Sequence, residues 1–85
     1  MWRIEFTHGA LKLLLRMPRD QSTQIRRKLD DVARDPFRAA NVKKLIDQDG
    51  YRLRVGDWRV LYLLHRDRIV VHVVRIAPRG GAYRR

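Results

Sequence analysis

The sequence predicts an α+β domain: a helical hairpin packed on one face of a small antiparallel sheet, in the order β-α-α-β-β-β. Three observations lead there. Residues 2–6 and much of 51–76 alternate apolar and polar side chains at the two-residue period of a strand. Residues 8–34 carry apolar side chains at helical spacing, broken once, at Pro18. Turn signals punctuate the second half at Gly56-Asp57 and at His65-Arg66-Asp67-Arg68. Eighty-five residues make one domain over 1–85 with no room for a second core.

Trp2-Arg3-Ile4-Glu5-Phe6 alternates strictly and reads as a half-buried strand. Thr7 is placed to cap a helix over 8–17 that carries Leu11, Leu14 and Leu15, and Pro18 closes it. Asp20 then caps a second helix to about residue 34, on which Ile25, Leu29, Val32 and Ala33 recur at helical spacing. Asp35-Pro36 ends it, because a residue before proline is pushed out of the helical region. So short a connection makes the two helices a hairpin, with Gln24, Arg27 and Lys28 on its solvated side. Residues 36–50 read as a connector with an apolar cluster (Val42, Leu45, Ile46) and a polar turn at Asp47-Gln48-Asp49-Gly50. Strands follow at 51–55, 58–64 and 69–76, and the tail over 77–85 is too rich in Gly and Pro for regular structure.

A hydrophobic fraction of 45% fits a globular domain. There is no cysteine, hence no disulfide or thiolate metal site. No apolar run approaches the roughly 20 residues that cross a bilayer, and residues 1–5 carry no apolar signal segment. These features predict a soluble, cytoplasmic domain that does not engage a membrane. His8 and His65 have no metal-ligand spacing to a partner, Glu5 is the one glutamate, and no Gly-rich phosphate loop or Ser/His/Asp set is present. No metal or cofactor is expected, and any catalysis falls to Arg, Tyr or His.

The charge narrows the partners. The chain has a net charge of +11, of which residues 1–50 carry +4 and residues 51–85 carry +7. Every basic residue after position 50 is an arginine: Arg52, Arg54, Arg59, Arg66, Arg68, Arg75, Arg79, Arg84 and Arg85. Guanidinium forks bind phosphate bidentately and stack on bases, so the expected partner is a polyanion, nucleic acid ahead of a membrane surface.

Strand parity sharpens this. Tyr51, Leu53 and Val55 share one face, with Arg52 and Arg54 on the other. Trp58, Val60, Tyr62 and Leu64 oppose Arg59, Leu61 and Leu63. Uninterrupted alternation in the last strand sets Arg75 with Ile69, Val71 and Val73, and His72 with Val70, Val74 and Ile76. The face carrying Arg52, Arg54, Arg59 and Arg75 cannot lie under the helices, because unpaired buried charge is too costly. It is expected to be an open cationic surface shaped for a phosphate backbone, with His72 a core histidine on the buried side.

The run Gly50-Tyr51-Arg52-Leu53-Arg54-Val55-Gly56-Asp57-Trp58-Arg59-Val60-Leu61-Tyr62 is preceded by Lys43-Lys44-Leu45 and followed by Val70-Val71-His72-Val73-Val74-Arg75-Ile76, Arg79 and Tyr83. Together these resemble the RelE/ParE superfamily of bacterial type II toxin–antitoxin toxins, most closely its RelE branch, and the likeness covers essentially the whole chain. The resemblance implies an mRNA interferase, an endoribonuclease that enters the ribosomal A site and cuts the codon there. The ribose 2′-hydroxyl attacks the adjacent phosphate, without metal. Carried over by position, Arg52 and Arg54 are the basic pair on the first meander strand, and Arg59 holds the scissile phosphate. Arg79 falls where a basic residue protonates the leaving oxygen, and Tyr83 where a C-terminal aromatic stacks on a base and assists proton transfer. The expected catalytic set is therefore Arg54, Arg59, Arg79 and Tyr83, with Arg52, Arg75, Lys43, Lys44, Arg84 and Arg85 binding RNA or ribosome. The implied partners are ribosome, mRNA and a cognate acidic antitoxin in a hetero-oligomer.

The chain departs from the RelE pattern in one respect. RelE-type enzymes often carry Lys where this sequence has Arg52 and Arg54. Arginine is a very poor proton acceptor, so these residues are expected to act electrostatically and to leave acid/base work to Tyr83. Two other functions share the fold and charge: a ParE-like inhibitor of DNA gyrase that cleaves nothing, and a non-catalytic RNA- or ribosome-binding module.

Overall fold

The computed structural model describes residues 1–45 and 50–78. The polar turn at Asp47-Gln48-Asp49 and the residues Arg79, Tyr83, Arg84 and Arg85 lie outside the described residues. The elements are β1 (Arg3–Phe6), α1 (His8–Arg16), α2 (Arg19–Arg34), β2 (Val42–Lys44), β3 (Tyr51–Val55), β4 (Trp58–His65) and β5 (Val70–Pro78). They form one sheet in the order β1-β5-β4-β3-β2. Both helices pack on one face, where Ala10, Leu14, Met17, Ile25, Leu29 and Val32 meet Leu53, Val55, Val60, Tyr62, Val71, Val73 and Ile76.

The α+β class and the helical hairpin stand as the sequence predicts; the sheet differs in two ways. It is mixed rather than antiparallel, because β1 runs parallel to β5, with Arg3 opposite Val70 and Phe6 opposite Val73. With two helices between them, an odd number of reversals separates β2 from β1, so β2 runs antiparallel to β1 at the far edge. The three hairpin reversals of β2 to β5 then return the chain alongside β1 and parallel to it. The second difference is β2 itself, in the segment read as a connector. Lys43 pairs with Arg52 and Lys44 with Tyr51. Two consecutive lysines disguise a strand this short.

Local signals set the helix ends. The Thr7 hydroxyl accepts from the Ala10 N–H at 3.2 Å, an N-cap that satisfies one orphan donor. Met17, at ψ 163°, is extended as a residue before proline must be. Pro18, not Asp20, occupies the N-cap of α2; Asp20 lies in the first turn, where its carboxylate complements the helix dipole. Leu14 is buried with Ala10 and Met17, whereas Leu11 and Leu15 are exposed.

The β3–β4 hairpin turns through the two residues Gly56-Asp57, with Val55 opposite Trp58. Gly56 takes φ +56°, a conformation a two-residue hairpin loop requires and glycine adopts without a Cβ penalty. Trp58 Nε1–H donates to the Gln21 side-chain oxygen at 2.9 Å, fastening β4 to α2.

Tyr62 is wholly buried on the helix side, its ring stacked 5.5 Å from that of Tyr51, and its hydroxyl has no hydrogen-bond partner among the described residues. Burial, with the Tyr51 hydroxyl alongside, pushes the Tyr62 phenol well above its ordinary value. The fold therefore holds the neutral phenol. Its contribution is complete below the unfolded value of about 10 and is lost as pH rises through the higher folded one. Tyr62→Phe leaves no stranded partner, so it should change stability by less than about 1 kcal/mol at pH 7. Urea unfolding repeated above pH 10 should show the variant losing less stability than wild type; equal losses would contradict this assignment.

Candidate active site

The open face of the sheet is read directly from the register. Going across the strands, Lys43, Arg52, Leu61 and Arg75 lie opposite one another in one row. One step along the strands, Arg54, Arg59 and Ala77 form a second row. One step the other way, Leu63, His72 and Glu5 form a third, and His65, Val70 and Arg3 a fourth. Neighbouring strands are about 4.8 Å apart and same-face rows about 7 Å apart, so the first two rows gather five cations within the footprint of a dinucleotide.

Two of these neighbours are like-charged pairs directly opposite each other: Lys43 with Arg52, and Arg54 with Arg59. Such pairs destabilise a sheet on their own. Their concentration at one place makes this the surface a bound anion would relieve. A concavity of about 260 Å³, lined by Asn41, Val42, Lys43, Arg52 and Arg54, opens at the β2–β3 edge of the same face. Arg54 and Arg75 are exposed and Arg52 half-buried.

Arg59 departs from the expectation that this whole face is solvated. It is 8% exposed, the one buried charged residue among those described. A guanidinium keeps its charge at any physiological pH, and its field on a neighbouring anion is strongest where water is excluded.

Lys44 is not brought to this surface. It pairs with Tyr51 on the opposite side of the sheet and lies 5.9 Å over the Tyr51 ring, in a cleft shared with Leu64 and Arg66. Arg52, Arg54, Arg59 and Arg75 share one face of the sheet, and Lys43 of β2 joins them there; Arg79, Tyr83, Arg84 and Arg85 lie outside the described residues.

His72 is the residue that strand parity misplaced. Tyr62 pairs with Val73 and Leu61 with Arg75, so Val74 is an extra residue in β5, a β-bulge. The bulge resets the alternation. Val71, Val73 and Ile76 all face the helices, and His72 joins Arg75 on the open face. Thr7 holds the irregularity: its backbone N–H donates to the Val73 carbonyl at 2.9 Å and its hydroxyl to the Val74 carbonyl at 3.1 Å. β5 also begins at Val70 rather than Ile69, which sits in the turn at φ +54°. The signal was present in the sequence, since His72 and Arg75 are three residues apart and both can face solvent only if one residue is extra. His65 faces the same side, and His65 Nε2 lies 3.4 Å from His72 Nδ1. Among the described residues no group of three or more His, Asp or Glu could hold a metal ion, and no helix is long and apolar enough to cross a membrane.

A helical hairpin on a five-stranded mixed sheet, with a guanidinium platform on the uncovered face, defines a class that comparison with known proteins identifies. Residues 4–83 match the family model described as the ParE toxin of type II toxin–antitoxin system, parDE. The chain belongs to this family, within the RelE/ParE superfamily, and is a toxin of a type II toxin–antitoxin system. Its fold is shared with a chain of the intact E. coli RelBE toxin–antitoxin complex (TM-score 0.81, 25% identity, 92% of this chain and 96% of that one). A chain of the archaeal RelE–RelB complex from Pyrococcus horikoshii OT3 is equally similar (TM-score 0.81, 26% identity, 93% and 96%). The isolated E. coli RelE toxin matches with TM-score 0.75 and 27% identity over 98% of this chain and 91% of that one. No curated protein matches the sequence significantly.

Proposed function

We propose that this toxin is a ribosome-dependent mRNA endoribonuclease of the RelE type, cutting in the A site by metal-independent attack of a ribose 2′-hydroxyl on the adjacent phosphate. The observation that carries the reading is the pair of cationic rows, Lys43–Arg52–Leu61–Arg75 and Arg54–Arg59, on the uncovered sheet face. In-line attack turns a phosphate monoanion into a pentavalent phosphorane dianion, and preorganised cations stabilise that added charge more than they stabilise the ground state. Arg59, the least hydrated of the set, takes the non-bridging oxygens. Arg54 adds to this charge stabilisation, while Arg52, Arg75 and Lys43 hold the flanking backbone. Arg79 protonates the departing 5′-oxygen. Tyr83 stacks on a base and assists proton transfer, with Arg84 and Arg85 steering RNA and ribosome. Between toxic episodes an acidic antitoxin neutralises the +11 domain in a hetero-oligomer, as the RelB–RelE complexes with the same fold suggest.

Programmed ribosomes given the protein should yield mRNA cut within the A-site codon. A 2′-deoxyribose at the attacking position should abolish the cut, chelators should leave it intact, and gyrase supercoiling should be unaffected. The match to the ParE family model favours a second reading, a gyrase inhibitor that cleaves nothing. Intact mRNA beside inhibited gyrase would install it.

A further inference from the structure

We infer that His72, held in place by His65, is the general base that takes the proton from the attacking 2′-hydroxyl. The inference rests on the nuclease reading and moves the acceptor's role from Tyr83 to a histidine on the sheet face. The phosphate-binding groups on this face are arginines and a lysine, and an arginine cannot accept a proton at neutral pH. Histidine is the one side chain that changes charge in the ordinary range between about pH 5 and 8. Of the two histidines on the open face, His72 lies in the row beside Arg52–Leu61–Arg75 and His65 in the row beyond it.

The bulge at Val74 is what brings His72 there. The scissile phosphate, seated over Leu61 with Arg59 reaching it from the neighbouring row of β4, lies one row, about 7 Å, from the row of His72 and Leu63. A ribose attached to that phosphate spans the gap. His72 Nδ1 is 3.4 Å from His65 Nε2, with ring centroids 5.4 Å apart. For His72 to act as base at Nε2, its Nδ1–H donates to His65 Nε2, which fixes the tautomer and ring plane as an acceptor does in other base–orienter pairs. The contact is long for a hydrogen bond, as catalytic contacts are before substrate binds. The charged groups around the pair are Glu5 in the same row on β1, Arg3 ion-paired to Glu5 at 3.3 Å, Arg75 on β5, and Arg66, Asp67 and Arg68 in the β4–β5 turn.

In the step, the 2′-O–H proton passes to His72 Nε2 as the 2′-oxygen forms a bond to phosphorus. The P–O5′ bond breaks, the 5′-oxygen takes a proton from water, and a 2′,3′-cyclic phosphate remains. The resulting imidazolium strengthens its Nδ1–H bond to His65 and adds one positive charge beside Arg75. His72 is the catalytic residue; His65 is a positioning residue.

The test is single-turnover cleavage on programmed ribosomes across pH 5–9, with ribosome pelleting and circular dichroism as controls. His72→Gln should lose about 10²–10⁴ in rate with ribosome binding retained, and with it the rise in rate on the acid side of the pH profile. Added imidazole should restore cleavage to His72→Gly, a rescue that lost packing alone does not give. His65→Phe should lower kcat less, at unchanged KM. If His72→Gln does not fold, His72→Asn takes its place. Wild-type rates in the His72 variant overturn the inference, as does a loss with an unchanged pH profile and no imidazole rescue. Those outcomes differ from failure of the nuclease reading, in which the wild-type protein cuts no mRNA at any pH.

Discussion

Arg59→Ala is expected to slow single-turnover cleavage of A-site mRNA about 10²–10³-fold, with little change in ribosome affinity. The magnitude follows from burial. At 8% exposure Arg59 sits where little water screens its charge. Arg59→Lys should recover only part of the rate, because an ammonium cannot present two parallel N–H groups to two phosphate oxygens. Arg52→Ala contrasts with this. Arg52 lies in the row that tracks the backbone, opposite Lys43, so its loss should weaken binding and lower the salt-dependence slope by about one. Cleavage rates at saturating ribosome against salt-titrated pelleting separate the two effects. Equal losses of rate and affinity at both positions would mean that Arg59 is one more backbone contact.

Both expectations depend on a surface that was legible in the sequence wherever alternation was regular. In 51–55 and 58–64 a period of two is unbroken, and parity assigned Arg52, Arg54 and Arg59 to the face they occupy. It failed in β5, where one residue is inserted. Within a run of valines the bulge shows only in the three-residue spacing of His72 and Arg75, and it flips every position before it relative to every position after it. That single residue separates a core histidine from one beside Arg75. What fixes it is remote: Thr7, 67 positions earlier in the chain, bonds the Val74 carbonyl. The parallel pairing of β1 with β5 was hidden for a related reason, since pairing between chain ends is set by how many reversals intervene. Lys44 is set apart from Lys43 because adjacent residues in a strand point to opposite faces.

The helical hairpin contributes nothing to the cationic face directly, which makes it the place to separate stability from activity. Leu29→Ala should cost about 2–5 kcal/mol of unfolding free energy. Leu29 is 1% exposed at the centre of α2, in the cluster that joins Ile25 and Val32 to Val71 and Val73, and truncation leaves a cavity that rigid strands cannot close. For a domain this size that is a large part of its total stability and lowers Tm by roughly 10–30 °C. Leu15→Ala, on the same hairpin but 68% exposed, should fall within about 0.5 kcal/mol of wild type. Urea unfolding measures both, and a Leu29→Ala cost below about 1 kcal/mol would mean that the helices are not seated on the sheet as described. At a temperature where Leu29→Ala is still mostly folded, its cleavage rate per folded molecule should match wild type, because the Arg54–Arg59 and Leu63–His72 rows are paired through backbone bonds within the sheet. An antitoxin that binds only the folded toxin should raise the midpoint of both variants with its concentration, by about 2.7 kcal/mol at a hundredfold excess over Kd. The destabilised variant would then survive in its complex and unfold on release.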